Sequence, residues 1–132
     1  MGRLIPHFEA EDVPRALPPV VETACFRIAQ EAINNVLRHA VACNIWLRLF
    51  VAGDKLALSV RDDGRGFDPE TAWRDSAGGE SLGLASMEER ATLLGGTFTV
   101  QSTPGKGTTI DVTIPCIPES EVKDENSPAP GG

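Results

Sequence analysis

Apolar residues recur at helical spacing through Val21, Cys25, Ile28, Ala32, Val36 and Ala40, with Ala29, Ile33 and Leu37 widening the stripe. That period predicts a helix of about five turns from Val20, opening just after Pro18 and Pro19, where a proline's fixed φ suits a first turn. The period then changes to two. Residues 44–51 (NIWLRLFV) and 56–60 (LALSV) read as strands joined by a hairpin turn over 52–55. A second helix is expected over 83–94, ended by Gly95 and Gly96. Strands at 97–102 and 108–114 flank the turn TPGKG, and residues 4–9 offer a short edge strand in which Pro6 is tolerable. This order predicts an α+β fold, a two-layer α/β sandwich with a mixed, mainly antiparallel sheet covered on one face by helices. The opposite sheet face would carry Arg48, Ser59, Thr97, Thr99 and Asp111 toward water.

Two stretches escape the periodicity. Residues 68–82 contain adjacent glycines and little pattern, which predicts a long loop. The acidic C-terminal stretch, rich in Pro, Ser and Gly, cannot bury enough apolar surface to offset ordering and is expected to be a disordered tail over 116–132. The 132 residues suffice for one domain with a real core. A net charge of −7 argues against nucleic acid as the main partner, but it leaves room for one nucleotide held locally. No apolar run approaches the roughly 18 residues of a membrane span, so no membrane contact is expected of this domain. Three cysteines, Cys25, Cys43 and Cys116, with no C-x-x-C pair, fit reduced thiols in the cytoplasm better than a disulfide frame or a zinc site.

The residues richest in chemistry follow the second strand directly: RDDGRGF, 61–67. Side chains alternate along a strand, so Asp62 shares the parity of the buried set Leu56, Leu58 and Val60. If the strand runs two residues further, Asp62 points into the core layer and needs a partner, because a buried carboxylate without one is costly. Asp63 lies on the other side, with Ser59 and Arg61, and is expected to need none. The plain alternative is an exposed turn, since D-G is a common turn dipeptide. A calcium loop fits poorly, because glycine, arginine and phenylalanine fall where oxygen ligands are required. The dinucleotide fingerprint also fails, with two glycines and no helix following.

On the first helix, Arg27, Asn34, Asn35 and Arg38 stand at i±3 and i±4 from Glu31, and His39 borders the stripe. Such a set could hold a hydrated magnesium ion through few protein ligands, or could simply be a solvated face. Gly83, at a helix start after the loop, lets backbone N–H groups approach an anion.

Together these segments resemble a known family. QEAINNVLRHA (30–40) looks like the N box of sensor histidine kinases. DDGRGF (62–67) and SLGLASMEER (81–90) resemble the first and second glycine boxes, and GKGT (105–108) resembles the last. The likeness is to their ATP-binding catalytic domain, of the superfamily that also holds gyrase and the heat-shock chaperone ATPase, and the wording resembles the nitrate-sensor-like subfamily. Ser81 stands where the family's second box carries its first glycine.

The resemblance implies ATP and magnesium as ligands, and a role for each matched residue. Asp62 would accept the adenine amine, with Thr108 helping to hold a water. Gly64 and Gly66 would let the loop pass close to the base. Asn35 would be the magnesium ligand, Arg38 would lie near the phosphates, and His39 would line the pocket. Residues 68–82 would form the ATP lid, and Gly83 and Leu84 would contact phosphates. Glu31 would be the catalytic acidic group, orienting a water or organising the magnesium. The resemblance thus divides the chain into 1–17, an N-terminal strand and connector, 18–115, the catalytic domain, and the tail. His7 lacks the helical context of a phosphoacceptor. The γ-phosphoryl group would therefore go to a histidine on a separate dimerisation domain, for relay to a response regulator, and the chain is expected to be the catalytic part of a longer kinase. An anti-sigma-type serine kinase, a gyrase-like ATP-gated clamp and a nucleotide-binding module without turnover are the rival readings.

Overall fold

The computed structural model describes residues 4–11, 13, 17–70 and 83–116. Most of the expected loop, including Ser81, and the tail beyond Cys116 lie outside the described residues.

Helix α1 spans Pro19–Asn35 and starts at the prolines, where the Pro18 carbonyl accepts the N–H groups of Val21 (2.9 Å) and Glu22 (3.0 Å). Its inward face is Val21, Ala24, Ile28 and Ala32. Ala24 occupies the inward place that the period assigned to Cys25, which is half-buried against the same core. Burial pushes the Cys25 thiol up to about 11, with Cys116 adding to the rise, so it packs as a neutral side chain. The helix continues through a π-helical turn, Val36–Ala40, and stops at Val41 in the left-handed region. Nine residues on from Ile28, at about 100° per residue, a side chain falls on the side of the helix opposite the core. Val36 stays buried, whereas Leu37, expected to widen the apolar face, is 64% exposed.

Among the described residues five strands form one sheet: β1 (Ile5–Glu11), β2 (Asn44–Ala52), β3 (Lys55–Asp62), β4 (Thr97–Ser102) and β5 (Thr108–Pro115), in the order β1-β2-β3-β5-β4. β1 pairs with β2 in parallel, and the remaining pairs are antiparallel. The sheet is therefore mixed, as expected. β3 reaches Asp62 because both neighbours support it to the end: Asp62 is in register with Ile45 on one side and Thr108 on the other.

Alternation sends Leu56, Leu58, Val60, Ile110, Val112 and Ile114 to one face, where α1 and the second helix, α2 (Leu84–Leu93), cover them. α2 contributes Leu84, Met87 and Ala91 to this core. It ends as the glycines predicted, with Gly95 N–H bonded to the Thr92 carbonyl (2.9 Å) and Gly96 N–H to the Ala91 carbonyl (2.8 Å). The other sheet face is polar and aromatic. The Arg61 guanidinium lies 4.1 Å over Trp46 and that of Arg48 lies 4.2 Å over Phe50. Arg48, Thr97 and Thr99 are exposed there, while Ser59 and Asp111 are half-buried. Among the described residues no helix is long and apolar enough to cross a membrane.

Candidate functional site

The end of β3 turns Asp62 into the core layer, where it is 6% exposed, the one buried charged side chain among the described residues. Gly64 N–H donates to its Oδ1 at 2.7 Å. Lost hydration raises the Asp62 pKa above the ordinary carboxylate value; the Gly64 bond opposes the rise and the Asp63 charge adds to it. A single backbone N–H does not replace the water an ionised carboxylate gives up. In front of it opens a cleft of about 210 Å³.

The cleft is built from five places in the chain. Asn35 and His39, at i and i+4 across the junction of α1 and the π turn, form one wall, with Ala32 and Val36 beneath them. Val60 and Ile110 give it an apolar floor. The loop after β3 adds Arg65, Gly66 and Phe67, and Leu84 and Thr108 complete the lining. This combination of an apolar floor and a few convergent polar groups is the usual form of a small-molecule pocket.

Two loops are pressed together at its rim. A Cβ on Gly66, whose φ is +66°, would collide with the carbonyl oxygen of Thr103. Gly105 N–H also bonds to the Arg65 carbonyl at 2.5 Å. The close approach that requires glycine at position 66 is thus to the backbone of the loop between β4 and β5. Ser102 binds the two loops further. Its Oγ accepts the Phe67 N–H (2.9 Å), donates to the Gly107 carbonyl (3.1 Å) and meets Thr108 Oγ1 at 2.7 Å.

Of the residues singled out from sequence, Asn35, His39, Asp62, Gly66, Leu84 and Thr108 line the cleft together. Gly64 sits behind the Asp62 carboxylate as its donor. Glu31 is not on the wall with Asn35, one turn along; it packs beside Gly83, where an added Cβ would lie 2.5 Å from Oε2. Gly83 itself adopts φ +69° at the N-cap of α2. Arg38 is exposed and does not line the cleft.

The expectation for Asp63 is corrected. Its Oδ1 accepts the backbone N–H groups of Cys43 and Asn44, both at 2.9 Å, and its Oδ2 accepts Asn44 Nδ2–H at 2.9 Å. The Asn44 side chain first, then these backbone donors, holds its carboxyl below the usual range. Parity showed which side Asp63 faces but not that the start of β2 arrives there with unpaired N–H groups. Arg65, Phe67 and Ser102 escaped sequence reading for a similar reason. The first two belong to a loop without periodicity, and Ser102 acts through a cross-strand pair that becomes visible only once β4 is set beside β5.

With this geometry in place, comparison with known proteins is direct. The family described as Histidine kinase-, DNA gyrase B-, and HSP90-like ATPase matches residues 20–118. The chain belongs to this family. It is 41% identical over 110 residues to the sensor histidine kinase LiaS of Bacillus subtilis, which covers 83% of this chain and 29% of LiaS. It is 39% identical over 109 residues to an uncharacterized sensor-like histidine kinase of Chloroflexus aurantiacus, covering 81% of this chain and 18% of that protein. The chain thus spans less than a third of these relatives. The histidine kinase domain of the blue-light-activated kinase of Erythrobacter litoralis superposes with a TM-score of 0.71 at 25% identity, over 87% of this chain and 52% of that one. This ATPase-family domain is therefore homologous to the ATP-binding catalytic part of sensor histidine kinases, and its mixed sheet covered on one face by helices is their fold.

Proposed function

We propose that this domain binds Mg-ATP in the cleft and delivers the γ-phosphoryl group to a histidine on a separate dimerisation domain, from which it passes to a response regulator. The observation that supports this best is Asp62: a buried carboxylate with one backbone donor, opening into an apolar-floored cleft and standing in register with Thr108. An adenine amine is the kind of donor it lacks, and a charge-assisted hydrogen bond to it contributes about 1.5–3 kcal/mol. Asn35 and His39 then lie along the nucleotide, and Gly83 brings the N-terminus of α2 toward its phosphates. Residues 68–82 act as the lid, within a catalytic domain of 18–115 flanked by the strand and connector of 1–17 and the tail of 116–132.

The donor set suits magnesium of one kind. Among the described residues no group of three His, Cys, Asp or Glu side chains could hold a metal ion. The Asn35 carboxamide offers a single hard oxygen on the cleft wall, which fits an ion already bound by phosphate oxygens and water. Asn35 would hold that ion, which when bound neutralises phosphate charge. Glu31, beside Gly83, is positioned to support this end of the cleft, and Arg38 serves from the exposed side of the π turn. Positioning and charge neutralisation carry most of such a phosphoryl transfer.

The nitrate-sensor-like placement rests on motif wording, and a cytoplasmic location rests on the reduced cysteines. The serine-kinase and clamp readings are not favoured, since the relatives are sensor histidine kinases. Incubating the domain with γ-labelled ATP, magnesium and a histidine-bearing dimerisation domain tests the proposal. Acid-labile label on the histidine is expected. Label on serine, or phosphate release alone, would refute it.

A further inference from the structure

Ser102 lies outside the family motifs quoted above, yet its hydroxyl meets three partners. A serine hydroxyl has one hydrogen to donate and two lone pairs to accept with. Phe67 N–H can only donate to it, at 2.9 Å, and takes one lone pair. The Gly107 carbonyl, at 3.1 Å, can only accept, so it takes the single hydrogen. Thr108 Oγ1 is the third partner, at 2.7 Å, and what remains on Ser102 is a lone pair. The Thr108 hydroxyl must therefore donate. The reverse direction would set lone pairs of Ser102 Oγ and the Gly107 carbonyl against each other at 3.1 Å.

We infer that Ser102 is a positioning residue for ligand choice: it fixes the direction of the Thr108 hydroxyl and thereby leaves the back wall of the cleft with acceptors only. Thr108 lines the cleft and has spent its hydrogen on Ser102, so it turns lone pairs to the ligand. Asp62, its partner in the β3–β5 ladder, is acceptor-only when ionised. Two neighbouring acceptors suit an exocyclic amine on a ring edge, whose two hydrogens can serve them directly. A carbonyl oxygen at the same place meets lone pairs on both sides, and the ring N1–H beside it can serve only one of the two acceptors. Position 102 thus contributes to discrimination between 6-amino and 6-oxo purines without touching the base. This inference rests on the reading of the cleft as an ATP site.

The test compares ATP with inosine triphosphate, which exchanges the amine for a carbonyl, by calorimetry in the presence of magnesium. The wild-type domain, Ser102→Ala, Thr108→Val and the double variant are measured. Ser102→Ala frees the Thr108 hydroxyl to turn and donate, so the preference for ATP should narrow by roughly tenfold, about the worth of one hydrogen bond. In the Thr108→Val background, Ser102→Ala should leave the ratio unchanged, because there is no hydroxyl to direct. If Ser102→Ala does not fold, Thr108→Val decides alone, since it keeps the Ser102 bonds to Phe67 and Gly107; it too should narrow the preference. Equal loss of affinity for both nucleotides would overturn the inference and make Ser102 a loop fastener. So would an equal change of ratio with and without the Thr108 hydroxyl. A folded wild-type domain that binds no ATP would overturn the functional reading itself, whereas ATP binding with an unchanged ratio overturns only the role of Ser102.

Discussion

Asp62 and Asp63 are adjacent in sequence but face opposite sides of the sheet, and their environments push their pKa values apart. Asp62 is buried with one backbone donor, and lost hydration raises it. Asp63 is exposed with three donors from Cys43 and Asn44, and these lower it. The first has the environment of a ligand site. The second is a fastener that ties the end of β3 to the start of β2.

Asp63→Ala should therefore destabilise the fold by about 1–2 kcal/mol, the net worth of a few hydrogen bonds after solvent competition. The pH dependence has a definite sign. A carboxylate with a depressed folded pKa contributes stability that is present above its unfolded value, about 4, and is lost as pH falls through the folded value. Urea melts of the wild type and Asp63→Ala should converge on acidification, and a constant gap down to low pH would count against this role.

Asp62→Asn should behave in the opposite way. A raised folded pKa means that ionisation weakens the fold as pH climbs from the unfolded value through the folded one. An asparagine keeps an oxygen for the Gly64 N–H and removes the buried charge, so the free domain should melt no lower than the wild type at neutral pH. ATP affinity should nevertheless fall at least tenfold, as expected when a charge-assisted bond is lost. Calorimetry alongside thermal melting separates the two effects, and unchanged affinity would remove Asp62 from the pocket.

The divergence of these neighbours shows how far the sequence could be read. Strand parity placed Asp62 correctly because β3 holds a regular period and both neighbouring strands reach its end. The helix stripe gave Val21, Ile28, Ala32 and Val36 for the same reason. Periodicity stopped short wherever the backbone left a regular path. Nothing in the local pattern marks the π turn that ends the first helix, and Leu37, opposite Ile28 on the helix, is exposed although it is apolar. Asp63 depends on partners 19 to 20 residues away, and Ser102 on Phe67, 35 residues away, as well as on Gly107 and Thr108 across the β4–β5 hairpin, all brought together by strand pairing rather than by local propensity.

Val41 is another place where local pattern and backbone disagree. It ends the π turn at φ 50°, ψ 48°, a left-handed conformation that a β-branched side chain adopts only at a cost, and its side chain is 81% exposed. Little packing offsets that cost. Val41→Gly should raise stability by roughly 0.5–1 kcal/mol, less than the full strain because glycine is freer in the unfolded chain. A urea midpoint that drops instead would show that the valine side chain is held by contacts worth more than the strain.

Glu31 and Gly83 give a steric expectation that can be separated from a backbone one. A Cβ at position 83 would stand 2.5 Å from Glu31 Oε2 and 2.8 Å from its Cδ, and the φ of +69° is itself unfavourable for alanine. Two separable costs follow for Gly83→Ala, a backbone cost of about 1 kcal/mol and a steric one that depends on Glu31. Glu31→Ala alone should be nearly silent in stability but should remove the steric part when combined with Gly83→Ala. A double-mutant cycle on urea midpoints should therefore show a favourable coupling of roughly 1 kcal/mol. Strict additivity would mean that Glu31 simply swings aside, and it would leave Gly83 required for its backbone alone. With coupling, Glu31 presses on the N-terminus of α2, and Gly83→Ala should also weaken ATP binding more in the presence of Glu31 than in its absence.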